Sequence, residues 1–366
     1  MQKIKVGITH GDINGVGYEI ILKTFANEDM MSVCTPVIYG SPKVLAYYKK
    51  IVTESPNFNV IPKPEMARDS QLNIIDCFNE KDLKVDIGTP TEEAGMAAFK
   101  ALERAVNDLK NHNIDALVTA PINKNTIQNK DFNFPGHTEY IETKAGNGSK
   151  ALMILMNNNI RVALVTTHLP VAKIAQNINQ KDIELKIAIL NNTLKMDFAI
   201  DNPRIAVLAL NPHCGDNGLI GEEEEKIIKP AINNLFENGV KCFGPFPADG
   251  FFGSGAYAKY DAILAMYHDQ GLAPFKALAM EDGVNYTAGL PVIRTSPAHG
   301  TAYDIAGKNL ADEASFRAAI YNAVDICRNR RQYESNHQNP LKKQYYEKRD
   351  DSDKLKLDQV TEEDTI

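Results

Sequence analysis

The stretch ILAMYHDQG, residues 263–271, is an apolar run that leads straight into Tyr267, His268 and Asp269 and stops at Gly271. The same construction occurs twice more. VALVTTHLP, residues 162–170, ends on His168 and Pro170, and IAVLALNPHCG, residues 205–215, ends on His213 and Gly215. Short runs rich in Val, Ile and Leu are what strands buried on both faces of a parallel sheet require. Beyond the carboxyl ends of such strands lies the crevice where α/β proteins bind ligands. Three imidazoles delivered there, with one position left open, are the ligand set of a catalytic transition-metal site. The separations of 45 and 55 residues mean that the fold must assemble such a site. His10 and His299 also lie near glycines, and chain order leaves them open as contributors.

Working outward, IKVGIT, PVIYG, LNIID, IDALVTA, RVALVTT, RIAVLAL and DAILAMY read as strands, alternating with amphipathic stretches. SPKVLAYYKKI opens a helix with Ser41 as N-cap and Pro42 in the first turn. TEEAGMAAFKALERAVNDLKNHN places Met96, Phe99, Leu102, Val106 and Leu109 on one helical face. GEEEEKIIKPAINNLFENG reads as a helix with an acidic first turn and a glycine stop. The class is α/β, a sheet covered by helices. The body runs over residues 1–332. The tail, 333–366, is expected to be frayed or partly helical, because its last 26 residues carry 14 charged side chains.

The 366 residues, 43% hydrophobic, suffice for one large or two ordinary domains. A net charge of −7 argues against a nucleic-acid partner. No apolar run approaches the ~20 residues of a membrane span, and the opening MQKIKVGITHGD lacks the apolar core of a secretory signal. Five scattered cysteines read as reduced thiols of a cytoplasmic protein; Cys214, next to His213, reads chiefly as a small packed hydrophobe.

FPGHTEYIE, residues 134–142, presents His137 and Thr138 at a helix start, a place for an anion, or else an ordinary cap by Thr138. Lys276 and Arg294 flank Asn285 in a glycine-rich stretch that suits a phosphate or carboxylate. THGDINGVGYE follows the first strand, but Ile20 breaks the GxGxxG fingerprint and no GK[ST] follows. A dinucleotide is therefore not held in the ordinary Rossmann manner.

Taken together, GHTEY, TTHLP, LNPHCGDNG, PFPADGFF, AMYHDQGLAPFK, GVNYTAGLPVIRTSPAHGTAYDIAG and THGDINGVGYE resemble the PdxA family, the 4-hydroxythreonine-4-phosphate dehydrogenases of vitamin B6 biosynthesis, over roughly residues 3 to 330. The resemblance implies NAD- or NADP-dependent oxidation of the C3 hydroxyl of 4-phosphooxy-L-threonine. Decarboxylation of the β-keto acid then gives 3-amino-2-oxopropyl phosphate. It implies a divalent metal, zinc before cobalt or magnesium, on His168, His213 and His268. It places substrate on His137, Thr138, Lys276, Asn285 and Arg294, with Asp249 nearby. Lys276 and Asp269 are the general-base candidates by analogy. The implied fold is a two-lobed α/β/α homodimer resembling isocitrate and isopropylmalate dehydrogenases. Its site lies in the interlobe cleft, with His268 donated to the neighbouring subunit's site.

The family's opening loop usually reads T-P-G-[DE]-P-x-G-[IV]-G, and here both prolines are replaced, by His10 and Ile13. This leaves open a sister activity, oxidation of 4-phospho-threonate in sugar-acid catabolism. Two further classes are a metal-dependent hydrolase or aldolase, with no nicotinamide requirement, and a metal-free phosphate-ligand binding protein.

Overall fold

A computed structural model, describing residues 3–78 and 83–339, turns the apolar runs into strands of one sheet. In chain order these are β1 Lys5–Thr9, β2 Thr35–Gly40, β3 Phe58–Ile61 and β4 Leu72–Asp76. Next come β5 Ala116–Thr119, β6 Leu152–Met156, β7 Arg161–Leu164 and β8 Ile205–Leu208. The last four are β9 Cys242–Phe246, β10 Ala262–Ala265, β11 Val284–Ala288 and β12 Arg294–Pro297. Their spatial order is β3-β4-β2-β1-β5-β12-β11-β6-β7-β10-β8-β9.

Two parallel blocks meet in this sheet. β3 through β12 form one and β7, β10, β8 and β9 the other, joined through antiparallel pairings of β11 with β12 and β6, and of β6 with β7. Each strand alternates its burial across the sheet, as the two-residue period demands. Ile38 packs into a core that runs along one face of both blocks, whereas Val37 and Tyr39 face the other side. On that other side the apolar packing is split into two clusters, one under each block. The gap between them is where the cavity opens.

Local signals place most helices. Ser41 Oγ accepts from the Val44 amide at 3.3 Å and starts the helix Pro42–Tyr48. Thr91 Oγ1 does the same for Ala94 at 3.2 Å, opening Glu92–Lys110. Phe99, Leu102, Val106 and Leu109 are buried on that helix, but Met96 is 41% exposed. The correction has a steric cause. The helix seats its alanines and Gly95 on its neighbours, a Cβ at Gly95 meeting Thr126 O at 1.9 Å, and this turns Met96 outward. The acidic run after Gly221 is not one regular helix: a π-helical turn, Glu224–Ile228, precedes Lys229–Glu237, and Glu224 is fully buried. The helix Ala314–His337 packs on β12 and β5 and continues past residue 332. The remainder of the tail, from residue 340, lies outside the described residues. No described helix is long and apolar enough to cross a membrane.

Candidate active site

Beside the β5–β12 seam, the space between the two apolar clusters forms a cavity of about 460 Å³. Its walls bring together His137, Thr138, His168, His268, Lys276, Asn285 and Arg294, residues spread over 158 positions of sequence. They arrive from several separate elements. His137 and Thr138 open the helix His137–Ala145 after the loop that follows β5. Thr138 makes no cap; its Oγ1 lies 3.4 Å from Thr287 Oγ1 of β11. His168 follows β7, His268 starts the helix His268–Ala279, and Asn285 and Arg294 sit on β11 and β12.

Arg294 is buried and surrounded by neutral partners. Its Nε and Nη2 donate to Thr119 Oγ1 at 3.0 and 2.6 Å, and Nη1 donates to Thr287 Oγ1 at 3.2 Å. Nη2 also lies 3.1 Å from His137 Nδ1. Among the described residues no carboxylate lies within ion-pairing distance of this guanidinium. Burial lowers its pKa to about 9, with the nearby charge of Glu139 opposing. A desolvated cation without a counter-ion is unfavourable until an anion arrives. His137 is held well below the ordinary histidine range, first by burial and then by Arg294 and Lys124, so its neutral Nδ1 accepts from the arginine.

His168 and His268 face one another with ring centroids 6.0 Å apart. His268 Nδ1 lies 2.7 Å from Asp269 Oδ1, which leaves Nε2 free for other work. His168 Nε2 lies 3.4 Å from Lys124 Nζ, and burial lowers its pKa, followed by that lysine. That lowering favours the neutral imidazole of His168, the form that ligates metals.

His213 is elsewhere. It is exposed and does not line the cavity. The turn Pro212–Gly218 that carries it is left-handed from His213 to Asn217, with φ of 53°, 55°, 74°, 44° and 55°. Only Gly215 among these five adopts that region without strain. A buried carboxylate pins the segment: Glu224 Oε1 accepts the amides of Leu210 at 2.8 Å and Asn211 at 2.7 Å, and Oε2 accepts Asn211 Nδ2 at 3.0 Å. Among the described residues of one chain, no three His, Cys, Asp or Glu side chains come together in a metal-holding group. Asp249 and Asp269 are exposed and do not line the cavity.

The family model for pyridoxal phosphate biosynthetic protein PdxA matches residues 32–323. The chain belongs to the PdxA family. It is 61% identical over 362 residues to a Bacteroides thetaiotaomicron 4-hydroxythreonine-4-phosphate dehydrogenase, covering 99% of each chain. It is 40% identical over 329 residues to a Cupriavidus necator D-threonate 4-phosphate dehydrogenase, covering 89% of this chain and 98% of that one. The crystal structure of a Klebsiella pneumoniae 4-hydroxythreonine-4-phosphate dehydrogenase superposes with a TM-score of 0.78 at 34% identity, over 89% of this chain and 98% of that one.

Within this PdxA family member, the sequence reading missed Thr119, Lys124, Glu139 and Lys186 of the cavity wall. Lys124 follows β5, so the strand-end logic applied to the histidines was signal enough to find it. His10 and Ile13 are fully buried, His10 stacked 5.0 Å from Tyr18, and neither touches the cavity.

Proposed function

We propose that this chain is a cytoplasmic, NAD(P)-dependent dehydrogenase that oxidises the C3 hydroxyl of 4-phosphooxy-L-threonine, with loss of CO₂ to give 3-amino-2-oxopropyl phosphate, in vitamin B6 biosynthesis. The observation that carries this reading is Arg294, a buried guanidinium without a counter-carboxylate among the described residues, in a cavity that also holds two facing imidazoles. An anionic phosphorylated substrate supplies the missing charge. Lys276, in the same wall, serves the second anionic end or takes the proton of the C3 hydroxyl as hydride leaves C3 to the nicotinamide. Asp269 orients His268 through Nδ1.

The donor set fits a divalent cation, zinc before cobalt or magnesium, held by His168, His213 and His268. When bound, such an ion supplies Lewis acidity at the C3 oxygen and at the enolate left by decarboxylation. The family resemblance supports a two-fold homodimer in which His268 is donated to the neighbouring site; His168 and His268 facing one another within one chain, with His213 apart, leave His213 as the other ligand that could cross. His137, Thr138 and Asn285 orient the substrate, and the apolar wall of Leu155, Leu164 and Leu272 keeps bulk water from the reacting carbons.

The test is turnover of 4-phosphooxy-L-threonine against 4-phospho-threonate with NAD or NADP, read as reduced-nicotinamide absorbance, with divalent metal added. Faster turnover of the amino acid supports the reading. Preference for the threonate supports the sister activity named for the Cupriavidus necator relative. Substrate loss without nicotinamide reduction points to the hydrolase class.

A further inference from the structure

The cavity wall holds four cationic side chains, Lys124, Lys186, Lys276 and Arg294, but only two carboxylates, Glu139 and Glu142. Glu142 is already engaged: Oε1 accepts Lys150 Nζ at 3.0 Å and Oε2 accepts the Ala151 amide at 2.9 Å, so a ligand's cation there shares both oxygens with protein donors. Glu139 differs. It is half-buried, and its carboxylate accepts no hydrogen bond from any described residue.

Its position is defined by its surroundings. The side chain folds back over the helix start, where a Cβ at Gly136 would lie 3.6 Å from Glu139 Oε2 and 3.9 Å from Lys124 Cε. Its charge is felt both by Arg294 and by His168. It therefore lines the cavity beside Lys124, within electrostatic reach of both Arg294 and His168. A partly desolvated carboxylate with unused acceptor capacity selects a cationic donor.

The two substrates left open by the chemistry differ in this respect. Each carries a phosphate and a carboxylate, which the four cations serve equally. Only the amino acid carries an ammonium beside its carboxylate; the hydroxy acid has an uncharged hydroxyl there. We infer that Glu139 is a specificity-determining residue that receives the substrate's α-ammonium and so selects phosphorylated amino acids over phosphorylated hydroxy acids. This rests on the phosphorylated-substrate reading of the same cavity.

The experiment is calorimetric binding of phospho-L-serine and 3-phosphoglycerate to the full-length protein, a pair that differs at the same position and needs no turnover. Wild type prefers phosphoserine. Glu139→Gln lowers phosphoserine affinity by about ten- to a hundredfold, the loss of a charge-assisted bond, and leaves phosphoglycerate within about twofold. Glu139→Asp recovers part of the preference, and unchanged melting of each variant shows that the fold is intact. An equal change for both probes shows that the carboxylate merely balances Arg294 or the helix terminus, and overturns the inference. So does a wild type without preference between the probes. A failure of the proposed reaction is read separately, as absence of nicotinamide reduction with either substrate in the turnover assay.

Discussion

The guanidinium of Arg294 rests on the hydroxyl of Thr119, with Nη2 2.6 Å and Nε 3.0 Å from the same Oγ1. One neutral oxygen thus fixes the plane of a buried cation and leaves its charge uncancelled. Arg294→Ala is expected to raise KM for the phosphorylated substrate by the loss of about 1.5–3 kcal/mol, with kcat little changed. Thr119→Val keeps the charge but loosens its aim, and falls between wild type and Arg294→Ala. Steady-state kinetics decide: an Arg294→Ala enzyme with wild-type KM places the anion elsewhere.

A shared metal site makes a prediction for mixed dimers. Single His→Ala chains at residues 168, 213 and 268 are each expected to be inactive and to retain less zinc. When two such chains exchange, half the dimers are mixed. If the two lost ligands fall in one site, its twin is intact, and about a quarter of wild-type activity returns. Recovery with His168→Ala and His268→Ala shows that His268 crosses, as the family resemblance implies. Recovery with His168→Ala and His213→Ala shows that His213 crosses, as the pairing of His168 with His268 in one chain implies. If verified exchange restores activity in neither mixture, the site is not shared.

Glu224 should behave as a structural keystone for the His213 turn. Glu224→Ala strands the amides of Leu210 and Asn211, whose bonds to a carboxylate are worth about 1.5–3 kcal/mol each. Gly215→Ala is expected to cost a comparable amount, because φ there is +74° and a Cβ would lie 2.7 Å from Gly221 O. Urea titrations measure both. A change within ~0.5 kcal/mol, the range of ordinary surface substitutions, would sink the assignment.

Stability should fall on mild acidification. Burial holds His10 at about 3, far below its ordinary 6.5. Above pH 6.5 neither state is protonated and the fold keeps its full stability. Below it the unfolded chain takes up a proton that the folded chain refuses, so stability drops with a slope of up to about 1.4 kcal/mol per pH unit until the folded pKa is reached. His137 adds in the same direction. His10→Phe, which keeps a ring against Tyr18 and Phe78, is expected to flatten the slope. Denaturation midpoints across this range with identical slopes in both proteins would remove His10 as the linked group.

Seven strands were legible because a parallel strand buried on both faces is predominantly apolar, as β8 and β10 are throughout. The strands that escaped notice did so for separate reasons. β11 and β12 carry Asn285, Thr287 and Arg294, so their function dilutes their hydrophobicity. β6, LMILM, is apolar but made of residues that favour helix as readily as strand. β9 is interrupted by Gly244 and Pro245, and β3 is a half-exposed edge. In the site, the strand-end histidines, Lys276 and Arg294 were readable from position in the chain. The place of His213 was not, because a left-handed turn at His213, Cys214, Asp216 and Asn217 has no side-chain signature; it is imposed from outside by Glu224.

The single continuous sheet constrains how the cleft can breathe. The two blocks are not hung on a loop: β11 and β12 are hydrogen-bonded through the seam, and Asn285 and Arg294 stand on those two strands. Opening therefore has to be a flexing of the sheet about its middle, with the anion anchors at the fulcrum and the imidazoles and Lys124 on the swinging arms. Asn285 and Arg294 then stay in register while the end of the cavity that bears His168 and Lys124 widens or narrows. Hydrogen exchange slower at β11 and β12 than at the loops bearing His168 and Lys124 is the signature of that lever; fast exchange along the seam would contradict it.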